Sequence, residues 1–436
     1  MENKTSNFQI IVLVVFGFFV IAGLILFATA TVGNKSTAVT PVEVWGTFPS
    51  GPISKLVDSI NEIQKDTLKL TYVEKDPATF DKELVEALAD GSGPDAILLP
   101  SDSVIKYKNK IFTIPYTSYP LKTFKDQFVD ASSIYLNADG VVAIPFAIDP
   151  IVMYWNKSHF INASIVNPPS YWDDFTADVS KLTKKDSNFN IKQSGVALGE
   201  YKNIPHSKDI LSMLFLQAGL AIAGKGSDGA YVSSLSGNVD GIDHPAESAL
   251  TFYTDFANPV KSSYSWNRSF SPAFDSFVSG DTSIYFGYAS ELPSITLKNP
   301  NLNFDVSMVP QVRDASRQSV FAKMYGFAIM RSTKNLSSTF AQISKLTEKG
   351  SIASSTSFTN LPPVRKDVID SSPADPYMQV FYNSALRAQL WPDPDPESTK
   401  DIFDNMIESV ISGKAKVSDI VNGADQQLEN VFRQIK

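Results

Sequence analysis

The feature that most constrains the fold is an alternation of short apolar runs with amphipathic stretches between residues 42 and 99. Residues 42–45, 68–73 and 96–99 are typical of strands, whereas 52–65 and 76–89 have the residue spacing of helices. A strand–helix–strand–helix–strand order favours a parallel sheet covered by helices. Ligands of such sheets bind beyond the carboxyl ends of the strands. The sequence therefore predicts an α/β protein with a binding site at that edge.

Three side chains follow these strands at the predicted binding edge. Trp45 ends the first strand, Phe48 lies in the loop behind it, and Asp102 comes just after the third strand. Because the carboxyl ends of parallel strands meet at one edge of a sheet, we predict that all three contribute to a ligand site.

Residues 141–155 predict a passage from one part of the molecule to another. Two β-branched apolar runs are separated by a short connection that contains Pro145 and Asp149. Pro145 predicts that the first run does not continue as a central strand. A carboxylate such as Asp149 is disfavoured in a buried position unless a partner bonds to it. Asp149 is therefore either a ligand-binding group beside a cleft or a turn residue that precedes Pro150.

The same region resembles a known family. The segments IPFAIDPIVMYWNKSHF (144–160) and NPPSYWDDF (167–175) are similar to bacterial extracellular solute-binding proteins of ABC importers, of the maltose and multiple-sugar type. The segments 93–102, 277–288 and 360–365 resemble further motifs of that family, in the same order. The resemblance implies a two-lobed, periplasmic-binding-protein-like fold in which two α/β domains are joined by a multi-crossing hinge. It also implies a non-enzymatic function, in which the lobes close over a sugar and deliver it to an ABC permease.

The resemblance and the apolar runs together predict the lobe boundaries. The first lobe is expected to contain residues 42–146 and 325–352, and the second to contain 147–322 and 356–436. The chain would then cross between the lobes near 147, 323 and 355.

The predicted site combines acids with aromatic rings, because sugars offer hydroxyl groups and faintly apolar ring faces. A carboxylate can accept two charge-assisted hydrogen bonds from hydroxyl groups. The resemblance implies that Asp102 bonds sugar hydroxyls and that Tyr288, after its strand, faces the sugar. Trp391 begins a proline-rich loop and is either a platform for a ligand or packed under that loop. The full predicted set is Asp102 and Asp149 as acceptors, Trp45, Trp266, Tyr288 and Trp391 as stacking faces, and Phe48 and Tyr325 as further aromatic contacts.

The N-terminal region predicts export to the outside of the cell. Residues 8–28 form a run of 21 residues without a charge, and a helix of that length spans a bilayer core of roughly 30 Å. We predict an uncleaved transmembrane anchor within 1–30 and a tether over 31–41. A signal peptide that is cleaved near residues 28–30 is the competing interpretation.

Composition excludes several classes of function. The chain has no cysteine, three histidines that are far apart in the sequence, and a net charge of −8. It therefore has no disulfide or thiol chemistry, no histidine spacing of a zinc site, and no basic footprint for nucleic acid. The glycine-rich stretch 224–229 follows a predicted helix rather than a strand, which argues against a phosphate-binding loop. We expect a monomer without a cofactor or metal.

Two other functions remain open at this point. A membrane-anchored carbohydrate receptor or adhesin would use the same anchor and the same kind of site. A glycoside hydrolase would need two carboxylates roughly 5–10 Å apart across the scissile bond, and Asp102 with Asp149 is the pair that this sequence offers.

Overall fold

A computed structural model describes residues 39–63, 68–227, 229–239, 243–315, 317–369 and 373–435. Residues 41–436 form one compact unit. The predicted anchor and nearly all of the tether lie outside the described residues. Within the described part of the chain, no helix is long and apolar enough to cross a bilayer.

Fourteen strands are present in the described residues. They are β1 (Val42–Gly46), β2 (Leu70–Glu74), β3 (Ala96–Pro100), β4 (Ile114–Pro115), β5 (Gly140–Val141), β6 (Ile144–Asn156), β7 (Lys184–Lys185), β8 (Ile191–Val196), β9 (Ala223–Lys225), β10 (Tyr231–Ser233), β11 (Thr282–Tyr288), β12 (Phe304–Ser307), β13 (Val320–Ile329) and β14 (Ala388–Gln389).

Ten of these strands form one sheet in the order β2-β1-β3-β13-β6-β11-β8-β7, with β12 paired to β6 and β14 paired to β13. β1 runs parallel to both β2 and β3, as the sequence predicted. β6 pairs with β13 through its first half and with β11 and β12 through its second half. β6 and β13 therefore belong to both halves of the sheet and connect them.

The prediction that Pro145 interrupts this region is wrong, because β6 is one continuous strand of 13 residues. The register between β6 and β13 shifts between Tyr325 and Gly326, where Gly326 faces Pro145. Such a bulge accommodates a residue that cannot donate to the ladder. Pro150 lies where β6 changes partner, since Pro150 pairs with Ala322 of β13 and Ile151 pairs with Tyr288 of β11.

Sixteen α-helices lie in the described residues and surround the sheet. They are α1 (Ser50–Ile63), α2 (Phe80–Ala89), α3 (Val104–Tyr107), α4 (Leu121–Gln127), α5 (Lys157–Asn162), α6 (Trp172–Leu182), α7 (Ser207–Gln217), α8 (Pro245–Asp255), α9 (Ala273–Val278), α10 (Leu292–Lys298), α11 (Leu336–Leu346), α12 (Lys349–Thr359), α13 (Lys366–Ile369), α14 (Pro376–Leu386), α15 (Pro396–Ile411) and α16 (Val417–Gln434).

The contacts of the helices divide them between the two halves of the sheet. α12 packs on α1, and α13 packs on α4, so both belong with β1–β3. α14 contacts β6 and β12, and α15 contacts α7, α8 and α16. Both helices therefore belong with the other half of the sheet. Residue 355, near which a crossing was predicted, lies in α12 and therefore on the side of the first half. The backbone N–H of Val129 also donates to the carbonyl of Val364, which holds this segment against the first half.

The glycine-rich stretch forms a small hairpin and not a phosphate-binding loop. β9 and β10 pair antiparallel, with Lys225 opposite Tyr231. Ser233 and the backbone N–H of Leu235 donate to Asp425 of α16, which fixes the hairpin to the C-terminal helix.

Candidate functional site

Four segments from both halves of the sheet meet at one place, which we call the inner cleft. A 3₁₀ turn at Ser101–Ser103 extends β3, the first turn of α7 approaches from the other half, and β13 and the loop after β14 complete the walls. The space between them is a cavity of about 10 Å³, which is at most the room of one water molecule. The inner cleft is therefore closed in this structure. Its lining residues are Ser101, Asp102, Lys208, Asp209, Phe321, Ala322, Lys323, Leu390, Trp391 and Asp393.

Lys208 is a buried cation whose ammonium N–H groups all have acceptors. Its ammonium group donates to Asp393 Oδ2 at 2.6 Å, to Thr399 Oγ1 at 3.1 Å and to the carbonyl of Pro396 at 3.3 Å. Burial alone would lower the pKa of Lys208, but the charges of Asp393, Asp209 and Asp102 outweigh it and raise that pKa. The side chain therefore holds the loop after β14 against α7, with no N–H left to donate.

Lys323 is the opposite case, because its ammonium group has few partners. Lys323 Nζ lies 3.7 Å from Asp209 Oδ2, which is longer than a hydrogen bond, and 4.8 Å from the ring centre of Tyr288. Asp209 Oδ2 accepts instead from the Tyr288 hydroxyl at 2.7 Å. Burial would raise the pKa of Asp209, but Lys323 and Lys208 outweigh it and lower that pKa. Lys323 thus keeps N–H groups for another acceptor in the cleft.

Asp149 lies beside this cluster on β6, directly across the strand pair from Lys323. The side chain is 6% exposed, and its Oδ1 accepts from the backbone N–H of Ser290 at 3.0 Å. Burial raises the pKa of Asp149 to about 6, and the hydrogen bond from Ser290 only partly opposes that change. The cost of burying the carboxylate is therefore only partly offset by Ser290 and by the charge of Lys323.

Asp102 lies on the opposite wall and is half-buried. The hydrogen bond that it accepts inside the described structure comes from its neighbour Ser103, at 3.1 Å. Both carboxylates predicted from the sequence therefore lie close to Lys323, one on each side of the strand junction.

The aromatic residues that the sequence predicted fall into two groups, and the first group consists of Trp391, which lines the inner cleft, and of three rings close to its lining residues. The Tyr288 hydroxyl donates to the lining residue Asp209, and Trp391 is held in place by parallel stacking on Phe403 at 6.1 Å. Tyr325 is half-buried on β13, two residues from Lys323, and Phe48 packs edge-on against it at 5.2 Å.

Trp45 and Trp266 form the second group, and the structure does not bring them to the lining of the inner cleft. Trp45 lies under Lys75, whose Nζ is 3.8 Å from the ring centre, and its indole N–H donates to Glu43 at 2.5 Å. Trp266 is fully buried, stacks on Phe270 at 4.5 Å and donates to Asn203 at 2.9 Å. The loop expected to present Trp266 to a ligand instead inserts it into the core, because the indole N–H finds an internal acceptor.

Lys208, Asp209, Lys323 and Asp393 are cleft residues that were absent from the predicted set. Lys323 had a usable signal, since it is the one charged residue in the ten-residue apolar strand β13. Asp149 was predicted in the same way, as a charged residue between apolar runs. Lys208 and Asp209 had a weaker signal, because they open a helix whose remaining residues are mostly apolar.

A second cavity, which we call the polar chamber, adjoins the inner cleft at Leu390. Its volume is about 390 Å³, and its walls include Asp130, Ser133, Arg317 and Gln389. The polar chamber is therefore wide enough for a small polar molecule while the inner cleft is closed.

The arrangement suits the binding of a polar, uncharged molecule. Carboxylates and ammonium groups alternate along the inner cleft, so a hydroxyl group can donate to one and accept from the other. Two α/β halves joined by long shared strands, with such a cleft at the junction, define a two-lobed solute-binding protein.

Solved structures share this fold. A cyclic α-maltosyl-1,6-maltose binding protein from Arthrobacter globiformis superimposes with a TM-score of 0.74 at 18% identity, over 91% of this chain and 99% of that one. A sugar-binding protein from Xanthomonas citri gives a TM-score of 0.71 at 14% identity, over 91% of this chain and 98% of its own. A cyclo/maltodextrin-binding protein complexed with maltotetraose gives 0.70 at 16% identity, over 91% and 98%.

Sequence comparison defines the family. The model of the family described as bacterial extracellular solute-binding protein matches residues 55–381. Curated binding proteins of Brucella abortus and Brucella suis are 24% identical over 163 residues, which is 37% of this chain and 39% of theirs. The match thus spans about two fifths of those relatives. The chain belongs to the bacterial extracellular solute-binding proteins, a family of binding proteins and not of enzymes.

Proposed function

We propose that this protein captures a sugar or oligosaccharide between its two lobes and delivers it to the permease of an ABC importer. The observation that carries the proposal is the group formed by Asp102, Asp149 and Lys323, three charged side chains with unused hydrogen-bonding capacity. Tyr288, Tyr325 and Trp391 supply apolar ring surface beside them. Several structurally similar proteins carry names that include maltose-type sugars.

Sugar hydroxyls would complete this group. Asp102 and Asp149 accept from hydroxyl groups, and Lys323 donates to the oxygen of a neighbouring hydroxyl. Trp391, clamped by Phe403, stacks on the apolar face of a sugar ring. Because the cavity at this point is only about 10 Å³, the lobes must separate before a sugar binds and close again around it.

We assign the lobes from the contacts of the described residues. The first lobe contains 42–149 and 323–369, and the second contains 150–322 and 373–435. The hinge is formed by β6 and β13 at the point where β6 exchanges partners, together with the segment that joins α13 to α14.

The site of action is the outer face of the cell membrane, in keeping with an extracellular family. We propose that residues 8–28 anchor the chain there as a transmembrane helix, that 31–41 act as a tether, and that the protein works as a monomer.

The direct test is isothermal titration calorimetry of residues 41–436 with neutral mono- and oligosaccharides, including maltose and maltotetraose. Asp102→Asn should weaken the binding of the responding sugar at least tenfold, whereas Asp90→Asn, on the exposed end of α2, should leave it unchanged. Recovery of the intact sugar excludes hydrolysis. No binding to any sugar of the set would refute the proposal and leave the family assignment intact.

A further inference from the structure

A third cavity, which we call the apolar chamber, continues from the polar chamber toward the C-terminal helix. Its volume is about 270 Å³, and the two chambers share Ile134 and Tyr231 as a common wall. Further apolar side chains of the wall include those of Ile105, Ile111, Leu136, Val142 and Phe432.

The walls of the apolar chamber come from both lobes. α3, the segment after it and the strand β5 region supply the first lobe, whereas the hairpin β9-β10 and α16 supply the second. Tyr231 is stacked on Phe432 at 6.1 Å, so the wall shared with the polar chamber has a fixed position. The apolar chamber therefore lies between residues of both lobes.

We infer that the apolar chamber binds an apolar substituent, such as an alkyl or aryl aglycone, of a ligand whose polar part lies in the inner cleft and polar chamber. The inference rests on the proposed function. Three neighbouring spaces that share lining residues are arranged from the charged side chains of Asp102 and Lys323, past the polar chamber, to a largely apolar wall. This gradient fits an elongated glycoside that is polar at one end and apolar at the other.

The size and lining of the chamber support this class of ligand. A cavity of roughly 150 Å³ that is lined by Leu, Ile and Phe stays dry and binds benzene, so about 270 Å³ accepts a phenyl ring or a short alkyl chain. The exposed Lys108 and Lys225 and the side chain of Asn137 add polar groups to the lining. Each methylene transferred from water into the chamber should strengthen binding about fourfold.

The test compares methyl and hexyl β-D-maltoside, and the corresponding glucosides, by calorimetry below their micelle concentrations. Residues 41–436 suit this measurement, because the first residue of the hydrophobic core in the described part of the chain is Val42. We expect the hexyl glycoside to bind at least tenfold more tightly than the methyl glycoside.

Leu136→Trp should fill the chamber and abolish that difference without changing the affinity for the methyl glycoside. Tyr231→Ala, which opens the shared wall, should reduce the difference in the same way if Leu136→Trp does not fold. Leu297→Trp, at a position 82% exposed in a groove between α10 and α14, is the matched control.

Equal affinities for the two glycosides in the parent protein would overturn the inference and leave sugar binding established. A difference that persists in Leu136→Trp and Tyr231→Ala but disappears in Leu297→Trp would place the alkyl group in the other groove and would also overturn it. Failure of both glycosides and of every free sugar to bind would remove the proposed function together with the inference.

Discussion

Lys106 Nζ lies 3.3 Å from Asp395 Oδ2 and thereby joins α3 of the first lobe to the residue that caps α15 in the second. Lys106 also pairs with Asp81 of α2, so its ammonium group is held from the first-lobe side. This ion pair therefore connects the two lobes directly. Because both side chains remain partly exposed, the pair contributes roughly 1 kcal/mol or less to closure.

Removal of this contact should favour the open form of the ligand-free protein. We expect Lys106→Met to raise the open-to-closed ratio by up to about fivefold, which is about 1 kcal/mol, and to increase the radius of gyration in small-angle X-ray scattering. Lys82→Met removes a long, exposed pair within α2 and should leave the scattering unchanged. Identical scattering from the parent and Lys106→Met would show that the pair does not hold the lobes together.

The buried carboxylate of Asp149 predicts a pH dependence of stability. Burial raises its pKa from 3.8 to about 6. Between these values the folded protein still holds a proton that the unfolded chain has released, so the free energy of unfolding decreases as the pH rises from about 4 to about 6. Above that range this contribution is constant.

Asp149→Asn should therefore be more stable than the parent at pH 8, by up to about 3 kcal/mol, and similar to it at pH 4. The amide oxygen can still accept from the Ser290 N–H but cannot ionise. Urea unfolding at a series of pH values measures the difference, with Asp90→Asn as the exposed control. A difference that does not change with pH would contradict the buried, ionising carboxylate. The same variant should bind the sugar at least tenfold more weakly, which corresponds to about 1.4 kcal/mol.

Replacement of Lys208 should mainly lower stability, whereas replacement of Lys323 should mainly weaken sugar binding. Lys208→Met leaves Asp393 buried without its cation, so the free energy of unfolding should fall by about 3–5 kcal/mol. Lys323→Met removes a cation with no hydrogen bond in the described structure, but Asp209 then keeps only Lys208 as a counter-charge, so the loss of stability should be smaller than in Lys208→Met without being absent. We expect it instead to weaken sugar binding at least tenfold. Urea unfolding and calorimetry on both variants test this contrast, and equal losses of stability would contradict it.

The sequence was sufficient for most of the secondary structure, because hydrophobic periodicity and helix-terminating residues mark long elements well. The predicted helix 52–65 overlaps α1, and the predicted helix 76–89 contains α2. α12, rich in serine and poor in apolar residues, was not predicted, since its helix depends on packing against α1. The predicted lobe boundary after residue 352 falls inside this helix.

The continuity of β6 was not predictable from the sequence, because it depends on a bulge opposite Pro145 that only the pairing with β13 creates. The candidate site was predictable in part. Isolated charges in apolar strands pointed to Asp149 and would have pointed to Lys323. The burial of Trp266 depends on Asn203, 63 residues away in sequence, and no local pattern signals that contact.

The different positions of Trp266 and Trp391 give the last prediction. Trp266→Phe leaves Asn203 without its indole donor and creates a small cavity in the core, so the free energy of unfolding should fall by about 2–4 kcal/mol. Its sugar affinity should equal that of the parent, since the ring lies outside the inner cleft. Trp391→Leu keeps an apolar side chain over Phe403 but removes the flat face, and should weaken sugar binding at least tenfold. Calorimetry at a temperature where both variants are folded separates the two effects. A loss of affinity in Trp266→Phe without one in Trp391→Leu would reverse the assignment of the stacking face.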